Sequence, residues 1–286
     1  MINRRKFLRY GPMSFLAALG TTSLAGQWQA VQAQVQGQTS PQPSTTPSPS
    51  TPTKPSQASP TQNQLSIKWL GHSCFSFTGD NLRVLVNPFR PIGCTAGYRL
   101  PRVEANLVLI SSRLLDEGAI DELLGQPQIL SDPGAYQFRD KQIQGIRTDH
   151  DRQGGRRFGT NVVWRWTQAD IKILHLGGAA APINTNQQIL MGRPDVLLLP
   201  VGGGPKVYDA EEAKAVIALL NPKVVIPTQY QTAAADANLC DLAGVDRFLS
   251  VMGDTPVEEI NGDAIALQAN QLPENRPVIK VLKYSF

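Results

Sequence analysis

Three short, unbroken apolar runs constrain this chain more than any other feature: Leu107-Val108-Leu109-Ile110, Val196-Leu197-Leu198-Leu199-Pro200 and Val224-Val225-Ile226-Pro227. Each is too short for a buried helix and lacks the alternation of a half-solvated strand. Each therefore reads as a strand covered on both faces, which requires neighbouring layers. Between the last two runs, Asp209 to Leu220 has helical spacing. Asp209 is placed as its N-cap, Glu211 and Glu212 lie in the first turn, and Asn221-Pro222 is the stop. Near residue 65 the pattern changes to hairpins. Leu65 to Leu70 and Cys74 to Phe77 alternate around a Gly71-His72 turn, and Gly79-Asp80-Asn81 returns the chain through Arg83 to Asn87. Asn161–Trp166 and Ile171–Leu176 form a second hairpin, Leu114 to Leu124 has helical spacing, and Val278 to Leu282 reads as a closing edge strand. Strands and helices interleave, so the fold class is α/β, with sheets covered by helices.

The region before residue 65 is different material. Asn3-Arg4-Arg5-Lys6-Phe7-Leu8 resembles a twin-arginine export signal. A modest apolar stretch follows from Pro12 to Leu24, and Val31-Gln32-Ala33 offers small residues for cleavage. The stretch is too short and too polar to span a bilayer. Residues 1–33 are therefore expected to be an export leader, with the periplasm or a thylakoid lumen as destination. Residues 34–64 are almost wholly Pro, Ser, Thr and Gln, have little to bury, and read as a disordered linker. Residues 65–286 then form one domain. Charge argues against a nucleic-acid partner. Five of the 27 Lys and Arg precede residue 65 and no Asp or Glu does, so the domain carries one net negative charge. No membrane contact beyond the leader is expected.

Several segments of the domain, in order, resemble the metallo-β-lactamase superfamily, and within it the ascorbate-phosphate lactonase-like branch. They are Trp69-Leu70-Gly71-His72-Ser73, Val86-Asn87-Pro88-Phe89, Asn106 to Ser111, His150-Asp151 through Asn161, His175-Leu176-Gly177-Gly178, Leu199 to Gly203 and Asn221 to Pro227. The resemblance implies a four-layer αββα sandwich with a dinuclear metal site at one edge of the sheets. It also makes Gly202-Gly203-Gly204 a plain glycine turn rather than a phosphate loop.

The family's ligand motif, Thr-His-x-His-x-Asp-His, falls on Ser111 to Glu117. Ser112 and Leu114 stand where the first two histidines belong, Asp116 is kept, and Glu117 replaces the last ligand. His150 matches the next histidine, Gly178 replaces the bridging aspartate and Gln229 replaces the final histidine. Zinc takes about four His, Asp or Cys donors and water, and too few remain. The resemblance thus implies a chain without zinc or another cofactor. It would be a non-catalytic binding protein for a small anionic ligand or a protein, with an old cleft formed by His72, Ser112, Asp116, Glu117, His150, His175, Gln229 and Tyr230. The arginines beside His150 (Arg147, Arg152, Arg156 and Arg157) suit an anion. The alternative is a hydrolase of lactones, phosphodiesters or similar esters with a rebuilt site: a hard cation on Asp116 and Glu117, or Ser112 activated by His150. Cys74 is expected to be a buried thiol. Cys94 and Cys240, in loops on the side of the inferred site, are expected to form a disulfide.

Overall fold

The structure is a computed structural model that describes residues 63–286. The export-leader reading of residues 1–33, and all but the end of the linker reading of residues 34–64, lie outside the described residues.

Two mixed sheets pack face to face. The first has six strands: β1 (Leu65–Gly71), β2 (Cys74–Gly79), β3 (Leu82–Val86), β4 (Leu107–Leu109), β5 (Gln128–Leu130) and β13 (Ala264–Leu267), in the order β13-β1-β2-β3-β4-β5. The second has eight. Four are antiparallel neighbours: β6 (Gly134–Phe138), β7 (Lys141–Asp149), β8 (Thr160–Gln168) and β9 (Ile171–His175). The sheet continues in parallel through β10 (Val196–Pro200), β11 (Val224–Thr228), β14 (Val278–Leu282) and β12 (Val257–Ile260). Aromatic residues of β2 meet the second sheet at the core: Phe77 lies edge-on to Trp166 at 4.9 Å, and Phe75 lies 6.1 Å from His175.

Local chemistry accounts for the elements. All five residues of β10 and of β11 are buried, as a strand with layers on both sides requires. β1 alternates, with Leu65, Ile67 and Trp69 buried and Lys68 exposed. The β2–β3 and β8–β9 hairpin turns have consecutive positive-φ pairs, Asp80-Asn81 and Ala169-Asp170, which match the right-handed twist of the flanking strands. The Asp80 carboxylate accepts a hydrogen bond from Ala169 N at 2.7 Å and ties the two turns together. Between β10 and β11, α2 (Ala210–Leu220) starts on a capping box. Glu212 N donates to Asp209 and Asp209 N donates to Glu212, and the helix ends at Asn221 in the left-handed region. The other helices, α1 (Thr185–Met191) and α3 (Val245–Met252), also follow strands of the eight-stranded sheet.

Two expectations about elements fail. Leu114 to Leu124 is not a helix but a chain of turns. Leu115, Ile120 and Leu124, which set its helical spacing, are exposed, while Glu117 is fully buried. Gly118 lies tightly against the Ser112 carbonyl, so the segment closes on itself and carries Glu117 inward. Val278 to Leu282 is a strand but not an edge. β12 pairs along its outer side, and its Val-Glu-Glu-Ile sequence has no alternation by which to find it.

Candidate active site

The site is assembled from loops that leave the C-terminal ends of strands in both sheets. His72 follows β1, Asp116 and Glu117 follow β4, His150 follows β7, Gly178 follows β9, Lys206 follows β10 and Gln229 follows β11. His72 and Gln229 both have positive φ, 52° and 49°, a conformation that non-glycine residues adopt at a cost. Both are buried, and Gln229 N approaches the His72 carbonyl at 3.5 Å. Neither His72 ring nitrogen, nor either atom of the Gln229 side-chain amide, has a hydrogen-bond partner.

Two ion pairs organise the interior. The deeper one joins Glu117 Oε1 to His150 Nε2 at 2.8 Å, with both side chains fully buried. Glu117 Oε2 also accepts from Gly178 N at 2.9 Å. Burial alone would raise the Glu117 pKa, but the charge and hydrogen bond of His150, with help from Lys206, hold it well below the ordinary carboxylate range. His150 responds in the opposite sense. Burial pulls its pKa down, and Glu117 lifts it above the usual imidazole value. Gly178 makes this pair sterically feasible. A Cβ there would stand 2.5 Å from Glu117 Oε1 and 2.6 Å from His150 Cε1. Gly178 and Glu117 therefore fit as one unit: the carboxylate fills the space that a side chain at 178 would need.

The second pair, Lys206 with Asp116, lies on the floor of a cleft of about 780 Å³. Burial lowers the Lys206 pKa, but Asp116 and Glu117 more than offset this, so the ammonium stays charged. The Asp116 carboxylate also lies 3.8 Å from His72 Nε2. Burial dominates at His72 and lowers its pKa despite Asp116, which keeps the ring neutral near pH 7.

The remaining expected residues divide. His175 is structural: its Nε2 donates to the Ser73 carbonyl at 3.0 Å, its Nδ1 accepts from Gly177 N at 3.1 Å, and burial lowers its pKa to about 4. Tyr230 packs behind the site, 5.7 Å from the Trp69 ring. Ser112 Oγ accepts from Leu114 N, while His150 Nε2 is engaged by Glu117. The Ser112–His150 nucleophile therefore does not form. His150 is fully buried, and of the four arginines near it in sequence only Arg157 lines the cleft. Cys94 and Cys240 are joined by a disulfide across that cleft wall, with Cα atoms 4.7 Å apart, and Cys74 is a buried thiol. Lys206 was not legible as a site residue. Its only signal was a lone cation after Gly202-Gly203-Gly204-Pro205, and nothing in the sequence placed that turn over Asp116.

Two mixed sheets with flanking helices, and a site where strand C-termini converge, define a metallo-β-lactamase-type fold. Residues 66–229 match the beta-lactamase superfamily domain, and the chain belongs to that family. It is similar to a Thermotoga maritima structure named as a Zn-dependent hydrolase of the metallo-β-lactamase superfamily. Identity is 30%, the TM-score is 0.61, and 77% of this chain and all of that one are covered. It is also similar to curated proteins named UPF0173 metal-dependent hydrolases. The Thermoplasma acidophilum protein is 24% identical over 190 residues (59% of this chain and 84% of that protein). The Thermococcus onnurineus protein is 25% identical over 217 residues (66% and 93%).

These relatives correct the functional expectation. A non-catalytic binding protein without a metal cofactor is not what these relatives support, since each is named as a metal- or Zn-dependent hydrolase. The expectation went wrong by treating the loss of motif residues as the loss of activity. The donor set here is nevertheless not a family-type zinc pair. Among the described residues no three His, Cys, Asp or Glu side chains converge as a metal-binding group. Asp116 and Glu117 are each already neutralised by a cationic side chain.

Proposed function

We propose that this chain is a hydrolase of the metallo-β-lactamase superfamily that cleaves an ester-type bond, in a lactone, a phosphodiester or a similar ester, using a rebuilt site. The observation that carries this reading is the Lys206–Asp116 pair on the cleft floor, with an unpartnered neutral His72 3.8 Å from the carboxylate. Hydrolysis needs a stabiliser for the charge that develops on the attacked group and an acceptor for the proton of water. The Lys206 ammonium is a fixed positive charge in a largely buried setting, where such charges act most strongly on a transition state. His72, buried behind Asp116, has unpartnered nitrogens and a neutral ring, and Asp116, which lines the cleft, is placed to stabilise the imidazolium that would form on proton uptake.

The test is turnover by the purified full chain against a panel of lactones, phosphodiesters and carboxylic esters. Each is assayed as purified, after chelation, and with added zinc or manganese, alongside elemental analysis. Turnover of at least one class is expected, with Lys206→Ala lowering kcat about 10²–10³-fold, as loss of an electrostatic stabiliser does. No turnover on any class under any metal condition refutes the proposal. The export reading belongs to the same proposal, and the Cys94–Cys240 disulfide is of the kind an oxidising compartment sustains. Recovery of tagged full-length chain only from the cytoplasm would count against it.

A further inference from the structure

The mouth of the cleft differs in character from its floor. Ile92 and Leu115 are each 47% exposed and Leu239 is 70% exposed, and all three line the cavity whose floor carries Lys206. Large aliphatic side chains exposed together around one concave surface mark a place where something apolar binds. Leu114 lines the same wall, at the position where the family motif has a histidine. The lining also includes Arg157, whose guanidinium sits 4.7 Å over the Phe158 ring and has no ion-pair partner among the described residues. The cleft therefore has an aliphatic rim, a cation without an ion-pair partner in Arg157, and a floor where Lys206 meets the carboxylates of Asp116 and Asp241.

Resting on the hydrolase reading, we infer that the substrate is amphipathic: an acyl ester whose aliphatic chain lies over Ile92, Leu115 and Leu239, with an anionic group met by Arg157. The scissile bond then lies at the Lys206 end. Water adds its oxygen to the acyl carbon, the acyl–oxygen bond breaks, and the protons go to the leaving alkoxide and to solvent, so no co-reactant is needed. The aliphatic rim selects for chain length because each methylene taken from water adds a roughly constant increment of affinity. The factor is about fourfold when burial is complete and about twofold on a half-open wall.

Two measurements on the full chain separate this inference from the hydrolase proposal. Across 4-nitrophenyl esters from acetyl to octanoyl, kcat/KM should rise by roughly 60-fold, about twofold per methylene, and Leu239→Ser should flatten the gradient. Independently of turnover, the fluorescent anionic amphiphile 11-(dansylamino)undecanoate should bind. It should be displaced by octanoate and not by acetate, and Arg157→Gln should weaken it by several-fold. Turnover of acetyl esters with no dependence on chain length, and no probe binding, overturns the amphipathic substrate and leaves the hydrolase reading standing. Probe binding that needs Leu239 and Arg157, without turnover of any ester, sustains the amphipathic site and sinks the hydrolase reading. A dimer in sedimentation that Leu239→Ser dissociates would assign the rim to a second copy of the chain and overturn the inference.

Discussion

Gly178→Ala is the sharpest perturbation of this site, because it adds one methyl group against a buried ion pair without asking anything unusual of the backbone. The added Cβ would stand 2.5 Å from Glu117 Oε1, 2.6 Å from His150 Cε1 and 2.8 Å from His150 Nε2. Real Cβ atoms do not come so close, so one partner must move. Overpacking a core by a methyl group costs about 1–3 kcal/mol. Parting a fully buried pair costs about 3–5 kcal/mol when one charge is left uncompensated, and less here because His150 can release its proton. A destabilisation of about 3 kcal/mol is expected for Gly178→Ala. Glu117→Ala alone should cost a similar amount, since it leaves His150 and Gly178 N without their acceptor. The double variant should be less unstable than the two effects added together, by about 2 kcal/mol, because removing the carboxylate makes room for the methyl group. Urea unfolding of all four proteins gives the complete cycle. Gly178→Ala within about 0.5 kcal/mol of wild type, or strict additivity in the double variant, would refute the idea that glycine at 178 and glutamate at 117 are one structural unit.

The same pair has a signature in pH. Glu117 is held below its ordinary value of 4.5 and His150 above 6.5. Its contribution is therefore whole between those values, fading as pH falls through the lowered carboxylate pKa or rises through the raised imidazole pKa. The stability gap between wild type and Glu117→Gln should peak in that window, and a gap that widens steadily toward pH 9 would contradict the assignment. The disulfide closes a separation of 146 residues. Cys94→Ser with Cys240→Ser should thus cost up to about 5 kcal/mol by the chain-entropy relation; peptide mapping that finds both thiols alkylated without reduction removes the premise. Lys206→Met leaves Asp116 without its cation and brings the carboxylate 3.8 Å from His72 into play. The His72 pKa should rise, read as a downfield-shifting imidazole titration in NMR, and an unmoved titration would show that the pair is not coupled to the ring.

Much was legible in the sequence because it is written in local chemistry. The apolar runs at Val196–Pro200 and Val224–Thr228 can only be covered strands, and Asp209 with Glu212 can cap a helix wherever it packs. The hairpin turns likewise need residues that tolerate positive φ. In the structure Glu117 meets His150 and Gly178, Asp116 lies 3.8 Å from His72, and the His72 carbonyl faces Gln229 N. What those side chains do to one another was decided only in three dimensions. Glu117 was read as a replacement for the last ligand and, with Asp116, as a place for a hard cation, but its consequence depends on His150, 33 residues later, and on the empty volume at Gly178, 61 residues later. Lys206 becomes a site residue because β10 delivers its loop over the segment after β4, and the helical spacing of Leu114 to Leu124 is overridden because Glu117 is drawn inward to the buried His150. Periodicity and capping act within a few residues and so survive in the sequence, whereas charge compensation and steric exclusion act through space and appear only once distant strands end at the same place.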